Sequence, residues 1–332
     1  MILTRFYSGQ GLGNQLWAYA SARSIAYYHK TPFQVVDAHL FKGQGFLDIE
    51  DVVGYARNNS DEESVLKNAQ VWKERLFYDS ELKYFGAGYD ERVEEIEGDV
   101  VLEGLFQSER YLYENRAKLG MWLRLKKAYQ EKALRHSHQC IVNIRGGEYK
   151  RHTSLLLPCS YWRHAIDNMR AMHNVKEFLV VTDDRAYASR LLPDIPVLDG
   201  DIADCYAALH GAGYLIVSNS SFSYFPIKSR QDQPPVIAPY LWSRPSNVQN
   251  RWASPANFYA DWMWQSSDGN LVSGKTCLDV VSKTIDYYSS HYNVATSYEH
   301  LASKSLVSRL MPQELRRTLK KALSKLFPMW IG

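Results

Sequence analysis

Residues 139–149 read QCIVNIRGGEY, and the change from apolar to polar side chains within this stretch gives the clearest indication of the fold. Cys140, Ile141 and Val142 form a short apolar run of the kind that makes a buried strand. The run ends at Arg145 and two glycines, and ligands of open α/β sheets bind just outside the carboxyl ends of strands. Arginine binds phosphate bidentately, so this strand end predicts an anion site. The alternative is a strand end that carries an ordinary surface arginine.

The sequence after residue 139 alternates between apolar runs of strand length and segments of helical length. The predicted strands are 140–145, 178–182, 197–198, 214–218 and 236–238, and the predicted helices are 160–172, 185–192, 201–210 and 221–230. Strands that alternate with helices of roughly 10–15 residues indicate βαβ units and a parallel sheet. A charged helix over 119–135 is predicted to connect this half to the first, in which residues 37–95 show no clear pattern.

The chain opens with a second strand–loop–helix pattern. The strand at 2–7 is followed by SGQGLGNQ at 8–15 and a helical segment, a layout that presents free N–H groups to phosphate. It is a poor dinucleotide fingerprint, because the third glycine falls at Gly13 and Asn14 holds its place. The candidate binding residues of this loop are Gly11, Gly13, Asn14 and Gln15. Together the two patterns predict an α/β protein of two facing Rossmann-like domains.

Two further predicted strands end in polar side chains. The candidate binding residues are Asp183 and Asp184 after the strand at 178–182, and Ser220, Ser221 and Phe222 after the strand at 214–218. Carboxylates suit a base edge or a ribose, whereas hydroxyls at a helix N-terminus suit phosphates. Helix capping is the alternative for Asp184 and for the serines. With the arginine of the neighbouring strand, these groups predict a nucleotide site.

Composition and charge exclude several classes of protein. At 332 residues, 45% hydrophobic and 23% charged, the chain is globular and long enough for two domains. The four cysteines form no CxxC pair, so we expect reduced thiols and no zinc site. We expect no signal peptide, and no apolar run approaches the roughly 20 residues of a membrane span. A cytoplasmic protein without a nucleic-acid partner is therefore predicted.

Five motifs taken in order carry a family resemblance. They are Gly-Leu-Gly-Asn-Gln-Leu (11–16), Phe-Gln-Ser-Glu-Arg-Tyr (106–111), Ile-Arg-x-Gly-x-Tyr (144–149), Thr-Asp-Asp (182–184) and Asn-Ser-Ser-Phe-Ser (219–223). They resemble the bacterial α-1,2-fucosyltransferases, glycosyltransferase family 11, over residues 9–259. The resemblance implies a GT-B type enzyme that transfers fucose from GDP-fucose with inversion and without a metal, in the synthesis of O-antigen or another surface polysaccharide.

The resemblance also implies roles for individual residues. Arg145 would hold the leaving β-phosphate and Asn14 would approach the donor. Asp183 or Asp184 would contact guanine or ribose, and the segment 220–222 would hold the phosphates.

The chain departs from the family pattern His-x-Arg-Arg-Gly-Asp at residues 143–148. Asn143 stands where the family histidine lies near the base, and Gly146 replaces the second arginine. These departures leave the donor sugar and its base open. A different nucleotide sugar and a non-catalytic nucleotide- or glycan-binding protein are the alternatives. A nicotinamide oxidoreductase is disfavoured by the misplaced glycine.

The chemistry implied is sugar transfer in which donors around the β-phosphate stabilise the charge that develops there. Arg145 and Glu148 are the catalytic candidates, while Asp37 and Glu109 stay open as alternative general bases. Residues 199–201 have the Asp-x-Asp spacing of a metal site but read as a turn, so we predict no metal and no cofactor besides the donor.

The predicted domains are 1–136, an acceptor-side domain with the glycine loop, 137–259, a nucleotide-sugar domain, and 260–332, a helical extension. Residues 304–330 combine leucines with seven basic side chains against one acidic one. This pattern predicts a helix on the inner face of a membrane, where lipid-linked glycan acceptors are met. A terminal helix docked on the body is the alternative.

Overall fold

The computed structural model describes residues 1–49, 66–79, 84–242 and 250–290. The basic segment 304–330 lies outside the described residues, so its membrane contact stays a prediction. Within the described part of the chain, no helix is long and apolar enough to cross a membrane. The cysteines Cys140, Cys159, Cys205 and Cys277 are all unpaired.

The regular elements are as follows. The strands are β1 (Ile2–Arg5), β2 (Phe33–Val36), β3 (Leu47–Asp48), β4 (Gln70–Lys73), β5 (Leu76–Asp79), β6 (Tyr84–Ala87), β7 (Val100–Glu103), β8 (Arg124–Leu125), β9 (Cys140–Ile144), β10 (Phe178–Thr182), β11 (Tyr214–Val217), β12 (Val236–Pro239), β13 (Met263–Gln265) and β14 (Leu271–Ser273). The α-helices are α1 (Leu12–Tyr28), α2 (Leu119–Trp122), α3 (Lys127–Leu134), α4 (Cys159–His173), α5 (Arg185–Leu191), α6 (Ile202–Gly211), α7 (Tyr224–Lys228) and α8 (Gly274–Ser290). Short 3-10 helices include Ala38–Leu40, Glu148–Arg151 and Ser221–Ser223, and Glu109–Lys118 consists of 3-10 turns on either side of a kink at Tyr113.

Two sheets of mainly parallel strands organise the molecule, which confirms the predicted α/β class with two Rossmann-like halves. The first sheet has the order β2-β1-β7-β4 and the second the order β10-β9-β11-β12-β13-β14. In the second sheet only β14 runs antiparallel, to β13. Every residue of the central strand β9 is buried, as its apolar sequence predicts. The carboxyl ends of β10, β9 and β11 therefore lie side by side at one edge.

Three expectations about individual elements are corrected by the structure. The helix predicted over 119–135 is broken into α2, β8 and α3, because the backbone leaves the helical region at Leu123 and β8 pairs with β3. The second sheet continues past the predicted boundary at 259, since β13 pairs with β12. The helix predicted over 221–230 is a 3-10 turn followed by the short helix α7.

One apolar core runs through both halves of the molecule. Helix α1 belongs to the first half, yet its Trp17 ring packs against Tyr224 at 4.2 Å and Phe225 at 5.0 Å in the second. Phe46 likewise contacts Tyr206, with 5.4 Å between ring centroids. Because aromatic side chains contribute large buried areas, this contact holds the two halves in a fixed relation.

A cluster of charged side chains, which we call the ion cluster, joins the same two halves. It consists of Glu109, Arg116, Lys228 and Asp261. The Lys228 ammonium is fully buried and donates to both carboxylate oxygens of Asp261. Arg116 lies 3.1 Å from Asp261 and 3.5 Å from Glu109, whose other oxygen accepts from the hydroxyl of Tyr224 at 2.9 Å. Burial lowers the pKa of Lys228, and the two carboxylates oppose that effect.

A buried carboxylate, Glu74, supports the backbone that follows β7. It accepts from the amides of Leu105 at 2.6 Å and Phe106 at 2.8 Å and from the hydroxyl of Tyr111 at 2.8 Å. Burial is the main reason why the pKa of Glu74 is raised from 4.5 to about 7, and the nearby Asp90 adds to it.

Stability should therefore fall as the pH rises through the weakly acidic range. Between pH 4.5 and about 7 the folded protein holds a proton on Glu74 that the unfolded chain has released. The free energy of unfolding loses about 3 kcal/mol across this window because of Glu74. Urea unfolding at pH 5 and pH 7.5 should show a loss that is larger in the native protein than in Glu74→Gln by roughly this amount, because other groups, such as the buried His210 with its lowered pKa, contribute equally to both proteins. Glu131→Gln, at an exposed position of α3, is the control and should follow the native protein. Equal pH dependence of the native protein and Glu74→Gln would contradict the assignment.

Candidate functional site

A cavity of about 470 Å³ lies where the two halves meet. Its wall contains the glycine loop 9–14, the segments that follow β9 and β10, the start of α6, residues 220–222 and Lys42. Parallel strands deliver their carboxyl ends to one edge, so this is the position at which α/β proteins bind ligands. The volume falls in the range of small-molecule sites, roughly 300–1,000 Å³.

Arg145 is held in this wall by two carboxylates. One guanidinium nitrogen lies 2.8 Å from Asp183 Oδ2 and the other donates to Glu148 Oε1 at 2.8 Å. The second oxygen of Asp183 accepts from the amides of Gly146 at 2.9 Å and Gly147 at 3.3 Å. Asp183 is thus anchored by backbone donors and fixes the direction of Arg145. Glu148 is anchored less firmly, because its side chain is 66% exposed.

The two glycines after Arg145 are required by close packing. A Cβ atom on Gly147 would stand 2.3 Å from Asp183 Oδ2, and one on Gly146 would stand 2.6 Å from the Tyr187 ring. Ordinary side-chain contacts do not reach such distances. Position 146, where the family pattern has its second arginine, is filled by the ring of Tyr187 in this protein.

The adjacent carboxylates Asp183 and Asp184 make different contacts. Asp184 accepts from the amide of Tyr187 at 3.0 Å, which caps helix α5, and it forms an ion pair with Lys150. The hydrogen bond from Lys150 is the main reason why the pKa of Asp184 is lowered. Asp184 lies outside the cavity wall, whereas Asp183 is part of it.

The glycine loop connects the two halves at the cavity. A Cβ atom on Gly13 would stand 2.6 Å from the carbonyl carbon of Ser221, so the two backbones are in direct contact. Asn14 Oδ1 accepts from Gln107 Nε2 at 2.9 Å and from Ser221 Oγ at 2.8 Å. Gly11 and Asn14 both line the cavity.

Gln15 lies beneath the wall and not in it. Its fully buried amide donates to the carbonyl of Leu40 at 2.8 Å and accepts from the amide of Lys42 at 2.9 Å. These bonds hold the segment that carries Lys42 into the cavity wall. Lys42 was not anticipated, because it lies in the stretch 37–95 that has no clear periodic pattern.

The remaining predicted residues line the cavity on the side of the second half. Asn143 is buried on β9 and accepts from Ser218 Oγ at 3.4 Å. Ser220 Oγ accepts from the amide of Phe222 at 3.3 Å, so that amide already has a partner. Asp201, also in the wall, caps helix α6 by accepting from the amides of Ala203 and Asp204.

Of the three candidate general bases, one lines the cavity and two lie elsewhere. Glu148 lines the cavity, whereas Asp37 and Glu109 do not. Asp37 forms an ion pair with Arg5 at 2.6 Å, and Glu109 belongs to the ion cluster. Among the described residues, no group of three or more His, Cys, Asp or Glu side chains is placed to hold a metal ion.

Comparisons with known proteins give similarity of fold at low identity. No model of a known family and no curated protein matches the chain. A structure of POFUT1 in complex with GDP-fucose matches with a TM-score of 0.46 and 10% identity, covering 71% of this chain and 97% of that one. A structure of the NodZ alpha-1,6-fucosyltransferase soaked with GDP-fucose matches with a TM-score of 0.40 and 15% identity, covering 74% of this chain and 96% of that one. A structure of the fucosyltransferase NodZ from Bradyrhizobium matches with a TM-score of 0.42 and 16% identity, with the same coverage of both chains. Similarity at this level carries no functional conclusion for this chain.

Proposed function

We propose that this protein is an inverting glycosyltransferase that moves fucose, or a related deoxysugar, from a GDP-sugar to a hydroxyl of a surface-glycan acceptor, in the manner of an α-1,2-fucosyltransferase. The observation that carries the proposal is the placement of Arg145. It stands at the carboxyl end of a central parallel strand, faces a cavity between the two halves, and is aimed by a carboxylate that backbone amides hold. This is an arrangement for binding a diphosphate.

Arg145 can receive the diphosphate by exchanging one partner. The exposed Glu148 is the partner that a phosphate displaces, while Asp183 stays bound to the amides of Gly146 and Gly147. Arg145 then retains its direction and gains a charge-assisted hydrogen bond to the donor. As the sugar–phosphate bond breaks, the same cation stabilises the negative charge that develops on the β-phosphate.

Glu148, once released from Arg145, is the cavity carboxylate we assign as general base. In the proposed step the acceptor oxygen forms a bond to the anomeric carbon, and the bond from that carbon to the β-phosphate oxygen breaks. The proton of the acceptor hydroxyl passes to Glu148, and the electron pair of the broken bond leaves with GDP. Attack from the face opposite the diphosphate inverts the configuration, so the exposed side chain of Glu148 turns from Arg145 toward that face when the donor binds. The proposal includes no metal and no cofactor besides the donor.

The contacts of the other predicted residues refine their proposed roles. Asp183 acts as a positioning residue for Arg145, and Asp184 serves the cap of α5. Asn143, a buried residue of the cavity wall, is the amide we assign to the base of the nucleotide. The glycine loop supplies the part of the wall that comes from the first half, which we assign to the side of the acceptor.

Calorimetric titration of the full chain with GDP, UDP and NAD, in buffer containing EDTA, tests the proposal. GDP is expected to bind with a micromolar Kd and UDP much more weakly, and a screen of GDP-sugars should then yield turnover. Binding of UDP instead would replace the donor assignment. Binding of NAD would favour an oxidoreductase. If GDP binds and no GDP-sugar turns over with glycan acceptors, the protein binds nucleotides without catalysis.

A further inference from the structure

We propose that Lys42 is a second diphosphate-binding cation, supplied by the first half of the molecule to the donor that Arg145 holds from the second half. The inference rests on the proposed function and adds a binding residue to it. Lys42 and Arg145 are about 100 residues apart in the chain, and both line the wall of this cavity.

The first argument is the balance of charge in the cavity. Two cationic side chains, Lys42 and Arg145, and three carboxylates, those of Glu148, Asp183 and Asp201, line the described wall. Arg145 is already paired with two of the carboxylates. A diphosphate brings further negative charge into this wall, so it requires a cation besides Arg145.

The second argument is that Lys42 has its charge available. Its side chain is exposed, and it makes no ion pair or hydrogen bond with any described residue. A lysine without a partner is ordinarily a solvated surface group. Here the side chain borders a cavity that already contains three carboxylates and a shared arginine.

The third argument is that the backbone at Lys42 is held in place. The amide of Lys42 is bound by the buried side chain of Gln15 at 2.9 Å. The preceding ring, Phe41, is buried and stacks on Phe6 at 5.5 Å. Behind it, a Cβ atom on Gly43 would stand 2.5 Å from the Phe41 ring. The backbone at Lys42 is therefore held in place, and the flexible four-carbon stem of a lysine lets its ammonium group follow a phosphate.

The two positions that follow Arg145 have no room for a second cationic side chain. Position 146 faces the ring of Tyr187, and position 147 faces the carboxylate of Asp183. A cation supplied by the first half avoids both contacts, and the diphosphate is then bound by one cation from each half.

The test compares Lys42→Met with Lys127→Met, using GDP and guanosine as ligands of the full chain. Lys127 is the matched control, because it is an exposed lysine at the start of α3 and lies outside the cavity wall. Lys42→Met is expected to weaken GDP binding by about tenfold or more, since hydrogen bonds to charged groups contribute at this level. Guanosine binding, measured by saturation-transfer NMR, should be unchanged. Lys127→Met should bind both ligands like the native protein, and Lys42→Arg should recover GDP binding.

The outcomes separate the inference from the proposed function. If the native protein binds GDP and Lys42→Met binds it equally well, the inference is overturned and the proposed function stands. If Lys42→Met loses guanosine and GDP to the same extent, Lys42 does not act on the phosphates and the inference is again overturned. If the native protein binds no GDP, the proposed function fails first, and the inference fails with it. Thermal unfolding of each variant verifies that the fold is intact.

Discussion

Arg145→Ala is expected to weaken GDP binding by about 10- to 100-fold and to reduce the turnover of the sugar donor by roughly 100- to 1,000-fold. The loss in binding reflects the missing charge-assisted hydrogen bonds to the diphosphate. It is reinforced because Asp183 and Glu148 then stand unpaired in the cavity wall and repel the incoming phosphates. The loss in turnover is larger, because the charge on the β-phosphate grows as the bond to the sugar breaks.

Calorimetry with GDP and single-turnover kinetics with the donor measure the two effects of Arg145→Ala separately. Arg145→Lys should fall between the native protein and the alanine variant, because it retains the charge and loses the planar fork. Arg163→Ala is the matched control. Arg163, like Arg145, uses two guanidinium nitrogens on carboxylate oxygens, here both of Asp194 at 2.6 Å each, but it lies outside the cavity wall. GDP affinity of Arg145→Ala within twofold of the native value would remove Arg145 from the phosphate site.

Lys228→Met is expected to give the largest loss of stability, about 3 kcal/mol in the free energy of unfolding. Methionine fills the space of the lysine stem but leaves Asp261 and Glu109 without the buried ammonium. Values for such broken pairs run to about 5 kcal/mol, and the lower end applies here because Arg116 still pairs with both carboxylates. The effect should reach the whole protein, since the ion cluster joins the two halves.

Urea unfolding followed by circular dichroism measures the effect of Lys228→Met. Lys283→Met is the matched control, because Lys283 also pairs with an aspartate, Asp279 at 2.7 Å, but is 73% exposed. Its loss should stay below about 0.5 kcal/mol, the usual size for an exposed pair on a helix. Equal losses in Lys228→Met and Lys283→Met would show that burial of the lysine adds nothing to stability.

The second sheet could be predicted because two features of the sequence mark its strands. The apolar runs gave β9, β10 and β11, and the polar residues at their ends predicted that Arg145, Asp183 and Ser221 would converge. The strand order β10-β9-β11 confirms that these strands are neighbours, and the three side chains line one cavity. Their roles in binding stay predictions.

The roles of individual site residues, and several strands of the first half, depend on contacts that a single sequence does not reveal. Asp183 and Asp184 are adjacent and chemically identical, and only the amides around them decide that one aims Arg145 and the other caps a helix. Lys42 stands in an irregular stretch, and its place in the wall is set by the side chain of Gln15, 27 residues earlier. Strands β4 to β6 were not predicted, because strand formation there depends more on the pairing partners than on the pattern of their own sequence.

The packing of Trp17 has a consequence for the synthesis of this protein on the ribosome. Helix α1 is buried on nearly all sides, and part of its cover is α7, whose Tyr224 emerges about 200 residues after Trp17. At translation rates of about 5–20 residues per second, roughly 10–40 s pass between the synthesis of α1 and the synthesis of the α7 residues that pack on it. During this interval an apolar helix is open to other nascent chains. We therefore expect the growing polypeptide to bind holdase chaperones, and we expect a fragment that stops at residue 136 to aggregate when it is expressed alone.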